Sequence, residues 1–343
     1  MRNELSNRKT LLRVEGLKKH FPIRRGIFKK IVGHVKAIDG INFTMEEGET
    51  VGLVGESGSG KTTTGRSIIR LHRVTSGQIH FCIDGKMQDV HQLAKPDLKE
   101  FRREMQMIFQ NPFSSLDPRM SIRHILLEPL TTHKIGTHQE QLTTIEELIV
   151  KVGLRTSHLN RYPHELSGGQ RQRVGIARAL ALKPRFIICD EPVSALDVSV
   201  QAQVLNLLAA LQQDLKLTYL LIAHDLSVVE YMSDRIIVMY YGKIVEIAKS
   251  KDLYHNPKHP YTEALIAAIP RSEYNPSVKR MILKGNIPDA FDPPSGCNFH
   301  TRCSYVQEIC RQDEPILTIG GDKRSQRVAC HFADELDLQG YTS

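Results

Sequence analysis

The chain has 343 residues, 41% hydrophobic and 24% charged, with a formal charge of +8. That balance supports a buried core in one large or two smaller domains and excludes a disordered or repetitive chain. No stretch approaches eighteen consecutive apolar residues, and MRNELSNRKTLLRV at the start lacks an apolar secretory core, so neither a spanning helix nor a signal peptide is expected, and the cysteines are expected to be cytosolic and reduced.

LLRVEGLKKHF (11–21) alternates like a strand, and AIDGINFTMEEGETVGLVG (37–55) reads as two strands joined at a Glu-Gly turn. After Gly60 the pattern becomes helical, in KTTTGRSIIRL. Residues 97–165 are charged and helical in texture, with IEELIVKVG as one amphipathic piece. A helical period returns from Ser167 through RQRVGIARALAL and stops at Lys183-Pro184. RFIICDEP is then a buried strand, VSVQAQVLNLLAALQQDL a helix, TYLLIAHD a second buried strand, and DRIIVMYYGKIVEIA a hairpin closed at Tyr241-Gly242. Strands alternating with helices predict an α/β fold with a mostly parallel sheet covered on both faces. Around Asn256 the texture turns proline-rich, which places a boundary near 255.

GESGSGKTT covers Gly55, Glu56, Ser57, Gly58, Ser59, Gly60, Lys61, Thr62 and Thr63 and fits G-x-x-x-x-G-K-[ST] between a strand and a helix. Glycines let backbone wrap an anion, successive N–H groups and the helix N-terminus attract it, Lys61 adds a point charge and the Thr62 hydroxyl suits Mg²⁺. A glycine-rich turn with a stray lysine would lack those flanks. FIICDE ends a buried strand on Asp190 and Glu191. Asp190 is placed to hold Mg²⁺ and Glu191 to polarise the attacking water. Adjacent acids can merely open a loop, but a phosphate loop upstream argues against that. His224 closes the next buried strand, at the sheet edge where open α/β folds bind ligands.

Cys297-x5-Cys303-x6-Cys310-x19-Cys330 concentrates four of six cysteines near the end. In a reduced compartment four thiols suggest metal ligands rather than disulfides. The tight C-x2–4-C pairs usual for zinc are absent, an iron–sulfur cluster is a further reading, and reduced, unliganded thiols stay open. His300 and His331 lie nearby, while Cys82 and Cys189 fall outside the pattern.

LSGGQRQRVGIARAL (166–180) resembles the signature of ABC transporter ATP-binding subunits, and the likeness runs over about residues 11–250. It implies a P-loop ABC ATPase domain over 1–255 with an antiparallel β edge and a helical subdomain at about 97–175. A small Cys-rich C-terminal domain follows over 256–343. By the same resemblance Gln110 links Mg²⁺ to the helical subdomain, Ser167, Gly168, Gly169 and Gln170 complete a partner's nucleotide site, SALD (194–197) crosses the dimer interface, His224 senses the γ-phosphate and Phe21 stacks on adenine. ATP and Mg²⁺ are the implied substrate and cofactor.

LKKHFPIRRG, QNPFSSLDPRM, EPVSALDVSVQAQVLNLL and NPKHPYTEALIAAIP resemble the oligopeptide/dipeptide importer branch, in its second-ATPase type. That branch implies a second ATPase subunit, two membrane permeases, an extracytoplasmic solute-binding protein and a place at the cytoplasmic face of the membrane. It also implies a [4Fe–4S] occupant for Cys297, Cys303, Cys310 and Cys330. Nickel or glutathione are alternative solutes. A soluble ABC ATPase acting on ribosomes or DNA would usually carry two ATPase halves or a long coiled coil. This chain has one phosphate loop and no heptad run, so no nucleic-acid partner is expected.

Overall fold

Phe186–Asp190 is buried at every position, because it is apolar on both faces and lies between two parallel neighbours. Phe186 pairs with Met105 on one side and Thr218 on the other, so Met105–Ile108, Phe186–Asp190 and Thr218–Ala223 run side by side. This computed structural model describes residues 8–26, 28, 30–111, 115–269, 293–320 and 326–341. The chain divides into two compact units, each drawn from separate stretches.

The first unit is built mainly from residues 80–222. Its three parallel strands are accompanied by helices Gly168–Leu180 and Val198–Leu215, the second matching its predicted span. The helical stretch predicted over 97–165 resolves into Lys95–Glu104, Ile122–Thr132 and His138–Lys151, but it also holds the short strand Met105–Ile108. His138–Lys151 starts at a capping box in which Thr137 and Glu140 satisfy each other's backbone N–H. A hairpin pairs His80–Ile83 with Lys86–Asp89 across Asp84-Gly85, both at positive φ, as a two-residue turn requires.

The second unit combines residues 13–44, 51–79 and the chain beyond 222. Thr50–Val54 runs parallel to Arg235–Tyr240, which pairs antiparallel with Lys243–Lys249 across Tyr241-Gly242, the predicted hairpin. The sheet then continues into the C-terminal region, where Glu246 pairs with Val328 and Val328 with Thr318. Phe299 is 2% exposed and its ring meets Tyr240, Tyr261 and His259 at centroid distances of 5.2, 5.4 and 5.7 Å. The buried Glu246 carboxylate accepts from Lys258 N, His259 N and Gln326 Nε2 at 2.9, 3.0 and 2.7 Å. The sequence predicts a small, separate Cys-rich domain; the described residues after 292 instead add strands and an aromatic plug to the unit that carries the phosphate loop. Their few apolar side chains are buried by donating them to an existing core.

His259 caps helix Pro260–Ala267, its Nδ1 accepting from Tyr261 N at 3.0 Å. Burial, only partly offset by a hydrogen bond with the Ala329 backbone, pushes its pKa from 6.5 down to about 3. The unfolded ring therefore binds a proton in a window where the folded ring does not. Stability from this group is full above 6.5 and drains towards pH 3, at about 1.4 kcal/mol per pH unit. His259→Asn keeps a capping acceptor and cannot titrate, so urea melts should show a flatter pH dependence by about that slope. Parallel slopes in variant and wild type would remove His259 from this role.

Candidate functional site

The phosphate loop leaves the carboxyl end of Thr50–Val54 and enters helix Lys61–Ile68. Two glycines are dictated by space. A Cβ on Gly55 (φ +148°) would stand 2.1 Å from the Met239 carbonyl oxygen, and one on Gly60 (φ +105°) 2.2 Å from that of Ala37. Gly242 N donates to Ser59 O at 3.0 Å and fixes the middle of the loop. Lys61 Nζ donates to Gly55 O at 2.7 Å and Glu56 O at 2.9 Å, so the ammonium sits curled over the loop it serves. Ser59 Oγ is buried and has no hydrogen-bond partner among the described residues. The loop's backbone amides lie at the positive end of a helix whose first turn holds Thr62 and Thr63, which suits a phosphate oxygen.

Glu56 is held from three sides. Its N–H donates to Tyr261 Oη at 2.7 Å, its carbonyl accepts from Lys61, and its carboxylate takes both Nη atoms of Arg302 at 2.6 and 2.9 Å. Neither Tyr261 nor Arg302 was visible to the sequence reading, since 205 and 246 residues separate them from Glu56. Ser57 follows in the loop and is exposed. Phe21 is half-buried, with the His72 ring edge-on at 5.6 Å and the Lys19 ammonium 4.6 Å from its centroid. His224 is exposed directly after Thr218–Ala223.

In the first unit, Asp190 is fully buried at the end of its strand. Glu191 follows with φ +46°, a left-handed backbone that costs a non-glycine residue of order 1–3 kcal/mol. Its N–H donates to Ile222 O at 2.9 Å, which holds the kink against the neighbouring strand. Gln110 Nε2 donates to Glu191 Oε2 at 2.7 Å, so the structure brings together two residues the sequence singled out separately. With the amide nitrogen so engaged, Gln110 Oε1 is the end that can face a cation. Gln110 and Asp190 offer oxygen donors in this unit, the donor type Mg²⁺ prefers.

The signature forms the start of helix Gly168–Leu180. Ser167 caps it, with Gln170 N donating to Ser167 Oγ at 3.3 Å and Ser167 N to Gln170 Oε1 at 3.0 Å. The first-turn N–H groups have no partner within a helix. Gly169 is required because a Cβ would meet Val200 Cγ1 at 2.4 Å.

The cysteine reading finds no support in the described residues. Among the described residues no group of three His, Cys, Asp or Glu side chains could hold a metal ion. Cys297, Cys303, Cys310 and Cys330 are all free thiols. Burial pushes Cys297 up to about 12 and Cys303 up to about 11, and raises Cys330 too, with neighbouring cysteines of the set adding to the shift in each case. Cys297 and Cys310 are tied through backbone, N–H to carbonyl at 2.8 Å. The described residues lend no support to a [4Fe–4S] occupant. Cys189 is fully buried on Phe186–Asp190 and packs as core.

Residues 38–194 match the ABC transporter family and residues 245–310 the oligopeptide/dipeptide transporter C-terminal region. The chain is 51% identical over 330 residues to the oligopeptide transport ATP-binding protein AppF of Bacillus subtilis, covering 95% of this chain and 98% of the relative. It is 49% identical over 325 residues to a putative oligopeptide transport ATP-binding protein, YkfD, of the same organism, covering 94% and 95%. A dimeric ATP-binding cassette solved in a post-hydrolysis state with ADP and Pi superimposes with a TM-score of 0.61 at 29% identity, over 70% of this chain and 99% of that one. No helix among the described residues is long and apolar enough to cross a membrane. The chain belongs to the ATP-binding subunits of the ABC transporters, in the branch that carries the oligopeptide/dipeptide transporter C-terminal region.

Proposed function

We propose that this chain hydrolyses ATP to power the uptake of di- and oligopeptides, as the nucleotide-binding subunit of a membrane importer. The observation that carries the reading is the pairing, in one chain, of an ABC transporter match over 38–194 with the oligopeptide/dipeptide C-terminal match over 245–310. That pairing also supports reading residues 1–255 as the ATPase domain, with its helical subdomain at about 97–175, and 256–343 as an extension belonging to the peptide branch.

The loop amides from Gly55 to Thr63, with Lys61, bind the phosphates, and Phe21 stacks on the adenine. Thr62, Gln110 and Asp190 would hold Mg²⁺, which neutralises charge on the phosphates when bound. Glu191 orients and deprotonates the attacking water, and His224 contacts the γ-phosphate. Ser167, Gly168, Gly169 and Gln170 complete the nucleotide site of a second ATPase subunit, so that ATP joins the two and its hydrolysis lets them part. Differential contact with the γ-phosphate is what such a switch requires. The dimeric cassette bound to ADP and Pi supports this arrangement. Two permease subunits supply the path and a solute-binding protein the peptide, with this subunit peripheral on the cytoplasmic side.

The test is ATP-dependent uptake of labelled di- and pentapeptides by proteoliposomes holding the assembled complex. Uptake that vanishes with Lys61→Ala is expected. Robust ATP hydrolysis with no uptake of either peptide, but uptake of nickel or glutathione, would overturn the assignment of substrate.

A further inference from the structure

The phosphate loop is reached by a residue from far beyond the ATPase motifs. Arg302 is 5% exposed and Glu56, at the second position of the loop, 25% exposed. The two form a bidentate pair, Nη1 to Oε2 at 2.6 Å and Nη2 to Oε1 at 2.9 Å. Two parallel N–H···O bonds fix the orientation of both groups as well as their separation. Arg302 is itself located by Tyr240, whose Oη lies 3.4 Å from Nη1 and whose ring centroid is 5.9 Å from the guanidinium carbon. The Tyr240 ring packs at a tilt against Tyr261, centroids 4.6 Å apart, and Tyr261 Oη accepts from Glu56 N. Phe299, three residues before Arg302, closes the same cluster.

Glu56 has no evident task of its own toward phosphate, since a carboxylate repels an anion. Its carbonyl, however, holds Lys61 at 2.9 Å. Whatever fixes the carboxylate and the N–H of Glu56 therefore fixes the carbonyl that parks the phosphate-binding ammonium. It also screens the one negative charge in the loop from the nucleotide.

We propose that Arg302 is a positioning residue for ATP binding: through its bidentate pair with Glu56, the C-terminal region holds the phosphate loop in its nucleotide-competent shape. The inference rests on the reading of Gly55–Thr63 as the ATP site. Losing Arg302 leaves the Glu56 charge unneutralised beside the incoming phosphates and lets its carbonyl wander, so ATP affinity falls. The chemical step, carried by Glu191, is spared once nucleotide is saturating.

The experiment uses the full-length subunit in its assembled complex. Affinity for Mg-ATP is measured by isothermal titration, steady-state hydrolysis gives KM and kcat, and thermal melts report stability. The variants are Arg302→Gln, Arg302→Lys, Glu56→Gln and the double variant Glu56→Gln/Arg302→Gln. Arg302→Gln should weaken Mg-ATP binding and raise KM about tenfold, with kcat within about threefold of wild type; buried charged pairs truncated on one side show losses of this size or larger. Arg302→Lys, which keeps the charge and loses the fork, should fall between. The double variant should bind ATP better than Arg302→Gln alone, because the stranded carboxylate is gone. A merely structural contact would lower the melting temperature of Arg302→Gln and leave KM unchanged, and that result overturns the proposal; so does strict additivity in the double variant. If Arg302→Gln fails to fold, the Arg302→Lys and Glu56→Gln comparisons decide on the same criterion. A wild-type complex that binds no ATP would overturn the site reading and this inference with it, whereas normal wild-type binding with unmoved variants overturns this inference alone.

Discussion

Replacing Glu191 by glutamine is expected to lower turnover by at least about 100-fold, the low end of what a positioned general base contributes, while Mg-ATP still binds within a few-fold of its normal affinity. The substitution is chosen by the geometry. Glutamine is isosteric, its amide oxygen can still accept from Gln110 Nε2 as Glu191 Oε2 does at 2.7 Å, and the N–H to Ile222 O that holds the kinked backbone is untouched. What disappears is the carboxylate's ability to take a proton from water. Nucleotide is then bound and not consumed, so the complex should accumulate with its two ATPase subunits closed, visible as a stable ATP-bound dimer on size exclusion. Phosphate release measured at saturating ATP checks the first effect. Turnover near the wild-type rate would remove Glu191 from its role.

The second large effect is expected from Gly60→Ala. A methyl group there would stand 2.2 Å from the backbone oxygen of Ala37 and 3.3 Å from the end of Met239. A side-chain tip can move aside, but a carbonyl in the long strand Lys30–Glu46 cannot without dragging its strand. The residue also has φ +105°, and a left-handed conformation adds roughly 1–2 kcal/mol for any residue with a Cβ. The loop must shift at the point where it becomes helix. A 1 Å displacement of a binding constellation is worth about 10²-fold, so ATP affinity should fall by about that factor, read by titration calorimetry. Gly85→Ala is the control. It carries the same kind of φ strain, at +75°, in a hairpin turn with open space around the added carbon. It should lose stability and keep its affinity for ATP. Equal loss of affinity in both variants would mean that the cradle is sensitive to global stability and that Gly60 has no local role.

Motifs whose meaning lies within ten residues were legible in the sequence. The phosphate loop, the paired acids and the capped signature helix each declare themselves because a short run of residue types is needed to build a single turn, strand end or helix start. The α/β alternation was legible for the same reason, since Phe186–Asp190 and Thr218–Ala223 are short apolar runs that only a doubly covered strand accommodates. Less was seen where local signals are weak. Met105–Ile108 is four residues of mixed character whose strand state comes from pairing with Phe186–Cys189, 81 residues on. The Asp84-Gly85 pair is a hairpin-turn signal confined to two residues, between flanks with little alternation. The four cysteines are a different case. Their spacing and the family resemblance pointed to a cluster, whereas no group of three ligating side chains among the described residues could hold a metal ion. Arg302 was invisible because its partner is 246 residues away, and no periodicity records a contact of that range.

The strand Arg327–Val328 covers the outer edge of Lys243–Lys249, and Arg302 reaches Glu56. During synthesis the ribosome therefore completes every ATPase motif, from Gly55 to His224, well before it makes the pieces that finish their surroundings. A nascent chain halted near residue 255 would hold an open sheet edge, a hazard for sticking to its neighbours, and a loop whose Glu56 has no counter-charge from Arg302. Translation order thus leaves the Arg302–Glu56 pair and the Arg327–Val328 edge among the last contacts to form. A truncated product lacking its final ninety or so residues would leave the edge of Lys243–Lys249 uncovered.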